Sequence, residues 1–205
     1  MFSNCYAVTS VPLNIEQSLC DRRNINVTAM FSGATYMRGD VTTGMKYMES
    51  YCGDMFKRSG IDTVTNFGIC NPELGNDSHS CISMFEECPN LTSATFKGNG
   101  PVEGTRMFLN CSNLTHFSVE RTWQNLSSGS YMFRGCNLDG DSIRNILNVM
   151  LPEVTVNYID MTLSENGCDA LMEILNPSEA ITIPKYNADS TREANSYVYN
   201  SWKGW

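Results

Sequence analysis

"MFRGC" at residues 132–136 belongs to a set. "MFLNC" stands at 107–111, "MFEEC" at 84–88 and "MFSNC" at 1–5, and the looser "MFSGA" (30–34) and "MFKRS" (55–59) fill the gap. The Met-Phe pairs therefore begin at 1, 30, 55, 84, 107 and 132, in steps of 29, 25, 29, 23 and 25 residues. A recurrence of roughly 20–50 residues marks stacked structural units that share one core. The best copies agree beyond five residues. "MFEECPNLTSATF" (84–96), "MFLNCSNLTHFSV" (107–119) and "MFSNCYAVTSVPL" (1–13) carry Cys four residues after Met, with apolar residues at seven, ten and twelve.

The last two apolar positions alternate with polar ones. Phe117-Ser118-Val119-Glu120 reads as a short strand with one buried face. Units stacked at a strand spacing of about 4.8 Å leave no room for a bulky side chain at a tight turn. Cys, Ala34 and Ser59 all fit the fifth position of the motif. Cys88, Cys111 and Cys136 thus read as small hydrophobes, and Met84, Phe85, Met107, Phe108, Met132 and Phe133 as the core signature beside them.

This pattern resembles the BspA-type leucine-rich repeat, where a segment similar to Y-x-F-x-x-C-x-x-L-x-x-[VI]-x-[IL] recurs about every 23–25 residues. "YMFRGCNL" (131–138) and "RMFLNCSNLTHFSV" (106–119) match it best. The Met-Phe form is similar to repeats in bacterial surface proteins and lipoproteins, and in structural proteins of phages that infect gut bacteria. The likeness covers residues 1 to 140 well, with degenerate copies at 30 and 55, and the remainder loosely. It implies an α/β solenoid: short parallel strands on one side, loops or short helices behind, and regular helices towards the C-terminus.

Residues 141–205 are expected to continue the same solenoid as strand-helix repeats. Asp141 or Ser142 would cap a helix carrying the stripe Ile143, Ile146, Leu147 and Met150. "VTVNYIDMT" (154–162) and "AITIP" (180–184) read as strands, and "SENGCDALMEIL" as a helix burying Ala170, Leu171, Ile174 and Leu175. "DSTREANSYVYNSW" (189–202) reads as a closing helix, and "SWKGW" resembles the terminus of proteins with this repeat. Met1 falls inside a repeat, so the ends are expected to be covered by other segments or subunits.

Composition narrows the function. The net charge of −8, without a basic cluster, argues against nucleic acid. No stretch approaches the roughly 20 apolar residues that span a bilayer, and the start does not read as a signal peptide. Nine cysteines without a C-x-x-C pair do not make a zinc site; mostly buried thiols and folding in a reducing compartment are expected. His79 reads as a loop residue, and His116 as an outward strand position, whereas a neighbouring cysteine that could pair with it as a nucleophile is expected to point to the core. "DGD" (139–141) reads as turn plus cap rather than a calcium loop, and no phosphate loop or hydrolase motif occurs. Neither an enzyme, a metal nor a cofactor is expected. Sequons at Asn26, Asn76, Asn90, Asn110, Asn113 and Asn125 read as turn residues.

A solenoid offers surface. Its outward ladder would contain Asn14, Thr65, Thr95, Lys97, His116, Ser118, Glu120 and Asn157, with Trp123 as an anchor if exposed and Trp202 packed on the core. The expected function is a non-enzymatic recognition or adhesion module of a bacterial surface protein or phage tail or capsid fibre. It would bind protein or glycan and sit outside the cell on a bacterial surface or virion. The alternative is a purely structural virion or assembly subunit whose ends are its interfaces.

Overall fold

The computed structural model describes residues 3–10, 26–43, 47–48, 51–69, 80–150, 158–174 and 196–200. Four strands lie parallel in chain order: β1 (Tyr47–Met48), β2 (Thr63–Ile69), β3 (Ser93–Lys97) and β4 (His116–Val119). The register sets Val64, Ala94 and Phe117 in one row and Phe67, Phe96 and Val119 in the next, all buried. Between these rows β2 carries one residue more than β3. Asn66, at φ +51°, makes the bulge, and both Thr65 and Asn66 stand outward.

The Met-Phe segments form a second set of cross-chain bonds. The residue before each Met (Ala29, Asp54, Ser83, Arg106, Tyr131) and the residue before each small position (Gly33, Arg58, Glu87, Asn110, Gly135) have φ between 54° and 77°. For the non-glycine members this left-handed backbone costs roughly 1 kcal/mol each. The cost is offset because the conformation aims alternate N–H groups at the next turn. Asp54, Phe56 and Arg58 donate to the carbonyls of Ile82, Met84 and Glu86, at 2.8–2.9 Å. Ser83, Phe85 and Glu87 donate likewise to Thr105, Met107 and Leu109. The intervening residues Met55, Lys57 and Ser59 donate three residues back, to Cys52, Asp54 and Phe56. Every N–H from Asp54 to Ser59 thus has a backbone acceptor.

That register stacks the side chains. Phe31, Phe56, Phe85, Phe108 and Phe133 lie nearly parallel, with successive centroids 5.4–5.5 Å apart. This exceeds the roughly 3.5–4.0 Å carbon contact distance, so the rings are slid over one another, the favoured offset arrangement. Phe96 and Phe117 abut the stack edge-on or tilted. The cysteine of each turn donates to the Phe carbonyl of the preceding one: Cys88 to Phe56 at 3.0 Å, Cys111 to Phe85 at 2.9 Å and Cys136 to Phe108 at 3.1 Å. Burial, then the adjoining Cys88 thiol, push the Cys111 thiol well above its ordinary range, so it keeps its proton.

After β4 the sheet stops at a helix. α1 (Gly140–Asn145) runs into a π-helical turn (Ile146–Met150) that buries Ile143, Ile146, Leu147 and Met150. Its N-cap is Asp139, which accepts from Ser142 N–H at 2.8 Å; neither Asp141 nor Ser142 holds that place. Ser142 Oγ accepts from Phe117 N–H at 2.8 Å, and its single proton goes to Asp139 Oδ1 at 2.6 Å or to Thr115 carbonyl at 3.2 Å. Asn145 accepts from Val119 N–H at 2.7 Å and donates to Val119 carbonyl at 3.1 Å. Two helix side chains thereby do for β4 what a fifth strand's backbone would do.

The other ladder continues: β5 (Gly129–Leu138) pairs in parallel with β6 (Tyr158–Leu163), and β7 (Ser196–Asn200) lies antiparallel to β6. Ser196–Asn200 is thus a strand, where the sequence reading has a closing helix. Its Tyr-Val-Tyr centre favours extended backbone, and pairing with β6 overrides the capping residues upstream. Between β6 and β7, α2 (Glu165–Ile174) begins after Ser164, whose hydroxyl accepts from Gly167 N–H at 3.2 Å, and buries Ala170 and Leu171. α1 packs on α2 closely enough that a Cβ on Gly140 would lie 2.9 Å from Asn166 carbonyl. The strand expected at 180–184 and Leu175 lie outside the described residues.

Candidate binding face

Strand alternation sends one polar set outward from β2–β4. Thr63, Ser93 and His116 share a row; Thr65 and Asn66 stand beside Thr95, which neighbours Ser118; Lys97 follows Thr95 and Ser118 leads to Glu120. Thr65 and Glu120 are exposed, while Thr95, Lys97, His116 and Ser118 are half-buried. The structure therefore brings six of the sequence-derived candidates onto one face. Asn14 and Asn157 lie outside the described residues.

Trp123 does not belong to that face. It is fully buried, 5.8 Å from Phe96 and 5.9 Å from Phe117, both edge-on. Gly100, at φ +74°, lies so close that a Cβ there would sit 2.2 Å from Trp123 Cγ. The indole fills the space this glycine leaves, and its Nε1 has no hydrogen-bond partner among the described residues. The sequence offers no periodic context around Trp123 from which its inward direction could be read.

Hydrogen bonds hold the face in place. Asn66 N–H donates to Thr95 Oγ1 at 2.7 Å. Asp40, alongside Thr63, accepts from Thr42 N–H at 2.7 Å, from Thr63 Oγ1 at 2.9 Å and from Thr65 Oγ1. Burial alone would raise the Asp40 carboxyl, but the Thr42, Thr65 and Thr63 donors outweigh it and hold it below the ordinary value. At the far end His116 Nδ1 is 3.6 Å from Asp139 Oδ2. Sequence reasoning missed Asp40, Thr63, Asn66 and Ser93. The strand alternation contained the signal for Ser93, whereas Asp40 acts through residues more than twenty positions away.

Two polar depressions adjoin this end. One, of about 300 Å³, is lined by Asn99, Glu120, Arg121, Thr122 and Gln124. The other, of about 260 Å³, is lined by Asp139, Gly140, Asp141, Arg144, Asn166, Asp169 and Ala170. Among the described residues, exposed aromatics lie elsewhere: Tyr6 and Tyr36, in turns, meet edge-on at 6.4 Å, and Tyr51, bridged to Asn26, is exposed.

Four of the six sequon residues have structural tasks, and Asn76 lies outside the described residues. Asn90 Nδ2 donates to Gly60 carbonyl and Asn113 Nδ2 to Pro89 carbonyl, Asn110 takes the left-handed position, and Asn26 Oδ1 accepts from Thr28 N–H. Among the described residues, no group of three or more His, Cys, Asp or Glu side chains is placed to hold a metal ion, and no helix is long and apolar enough to cross a membrane. Comparison of the chain with protein-family models, with curated proteins and with solved structures gives no match.

Proposed function

We propose that this chain is a non-enzymatic recognition module, a BspA-type leucine-rich-like solenoid carried outside the cell on a bacterial surface protein or a phage tail or capsid fibre. It binds a protein or glycan through the outer face of β2–β4. The observation that supports this reading is the polar row of Thr65, Asn66, Thr95 and Ser118 on paired parallel strands. Short hydroxyl and amide side chains on a hydrogen-bonded sheet offer donors and acceptors already in position. Little ordering entropy is then lost when a sugar or peptide binds.

The test is the full chain on a glycan array and against purified surface proteins, beside the substitution Ser118→Arg. The wild type is expected to bind a defined ligand, and the variant to lose about tenfold or more in affinity with an unchanged unfolding midpoint. Undiminished binding by the variant would move the site off the sheet. A chain that binds no such ligand but associates end to end would favour the structural-subunit reading.

A further inference from the structure

Three residues before the Met of each turn stand Val27, Cys52, Cys81, Gly104 and Gly129, so the two thiols in this file are neighbours. The bonds from Asp54 N–H to Ile82 carbonyl (2.9 Å) and from Phe56 N–H to Met84 carbonyl (2.8 Å) set residue 52 opposite residue 81. Their sulfurs are 3.1 Å apart and buried. Ladder neighbours about 4.8 Å apart fall within the roughly 4.4–6.8 Å Cα separation that a cystine accepts. The thiols of Cys88, Cys111 and Cys136 are occupied differently, each donating to a Phe carbonyl.

We propose that Cys52 and Cys81 form an oxidation site, a thiol pair that a low-molecular-weight disulfide converts into a cross-link between adjacent turns. One cysteine thiolate attacks a sulfur of oxidised glutathione and expels a glutathione thiolate. The second cysteine thiolate then attacks the mixed disulfide at the protein sulfur, the Cys52–Cys81 bond forms, and the second glutathione leaves. Two electrons pass from the pair to glutathione disulfide, and the two thiol protons end on the glutathione released. Access requires local opening of the turn. Tyr51 and Ile82, adjacent to the pair in sequence and both exposed, mark the side on which solvent is nearest.

The experiment incubates the full chain with oxidised glutathione, alkylates remaining thiols under denaturing conditions, and maps cystines by proteolysis and fragmentation mass spectrometry. One linkage, Cys52 to Cys81, is expected, with the loss of two of the nine thiols. The unfolding midpoint should rise and fall back on adding dithiothreitol. Cys52→Ser and Cys81→Ser should each abolish both the linked peptide and the rise. Cystines scattered over other cysteines, or glutathione adducts without the Cys52–Cys81 link, would overturn the proposal. Because the linkage is mapped in the wild type, a variant that fails to fold leaves the test decisive.

Discussion

Ser142 and Asn145 make the most exacting test of how the sheet ends. In Ser142→Ala, the Phe117 N–H loses its acceptor in a fully buried setting; Thr115 carbonyl still receives the Asp139 N–H at 2.8 Å, and Asp139, half-buried, loses the Ser142 hydroxyl but keeps the Ser142 N–H. One orphaned buried donor costs about 1–3 kcal/mol. Asn145→Leu removes both the acceptor for Val119 N–H and the donor for Val119 carbonyl; with Val119 only 4% exposed, a loss of about 2 kcal/mol is expected. The two effects share one strand edge and will not add. Urea unfolding gives the global loss, and native-state hydrogen exchange reads the two amides directly. A local loss of about 2 kcal/mol accelerates exchange at Phe117 and Val119 roughly 30-fold. Asn148→Ala, exposed in the π-helical turn, is the control and should change stability by less than about 0.5 kcal/mol. If the Phe117 and Val119 amides exchange in both variants as they do in Asn148→Ala, the helix side chains are not their partners and the reasoning fails.

Phe108→Ala opens a gap between Phe85 and Phe133, each 5.4 Å away, and also beside Phe96 and Phe117. A loss of about 3–5 kcal/mol in urea unfolding is expected, and one below about 1.5 kcal/mol would show that the ring stack does not hold the turns together. Asp40→Asn tests the threonine nest. Because the folded-state pKa is held below its unfolded value, the stabilisation is present above the ordinary carboxylate range and is lost as pH falls through the folded pKa. The stability gap between wild type and variant should therefore narrow between about pH 5 and pH 3, and a gap independent of pH would contradict the assignment.

Local patterns reveal the elements whose reasons are local. Phe117-Ser118-Val119 alternates because one face is buried, and Thr65, Thr95 and Ser118 can be placed outward from sequence by the same rule. Asp139-Gly-Asp-Ser carries obvious capping residues, but sequence alone cannot tell that one of them is needed at a strand edge. Ser142 is therefore misread as a cap while Asp139 takes that place. The small fifth residue of the motif is legible as a steric requirement. Its thiol–carbonyl bond is not, because Ala34 occupies the same place without a donor. The left-handed backbone at Arg58, Glu87 and Arg106 is equally hidden, since nothing in those side chains announces φ near 57°. It arises from the bonds to neighbouring turns rather than from residue preference. Trp123 and Ser196–Asn200 fail for the same reason: their environments are set by distant chain segments.

The alternate amide groups of the Met-Phe turns all point the same way. From Ala29 to Gly53, from Asp54 to Ile82, from Ser83 to Thr105 and from Arg106 to Ser130, each N–H faces the later turn and each carbonyl the earlier one. Two further files, through Phe31 and through Gly33, run in the same sense. Peptide dipoles of about 3.5 D aligned in this way sum as they do along a helix axis, and each bond polarises the next. The row of turns consequently has a polarity, with oxygen leading towards residue 29 and hydrogen towards residue 131. Two such rows can prolong one another only head to tail, never by a twofold-symmetric joint.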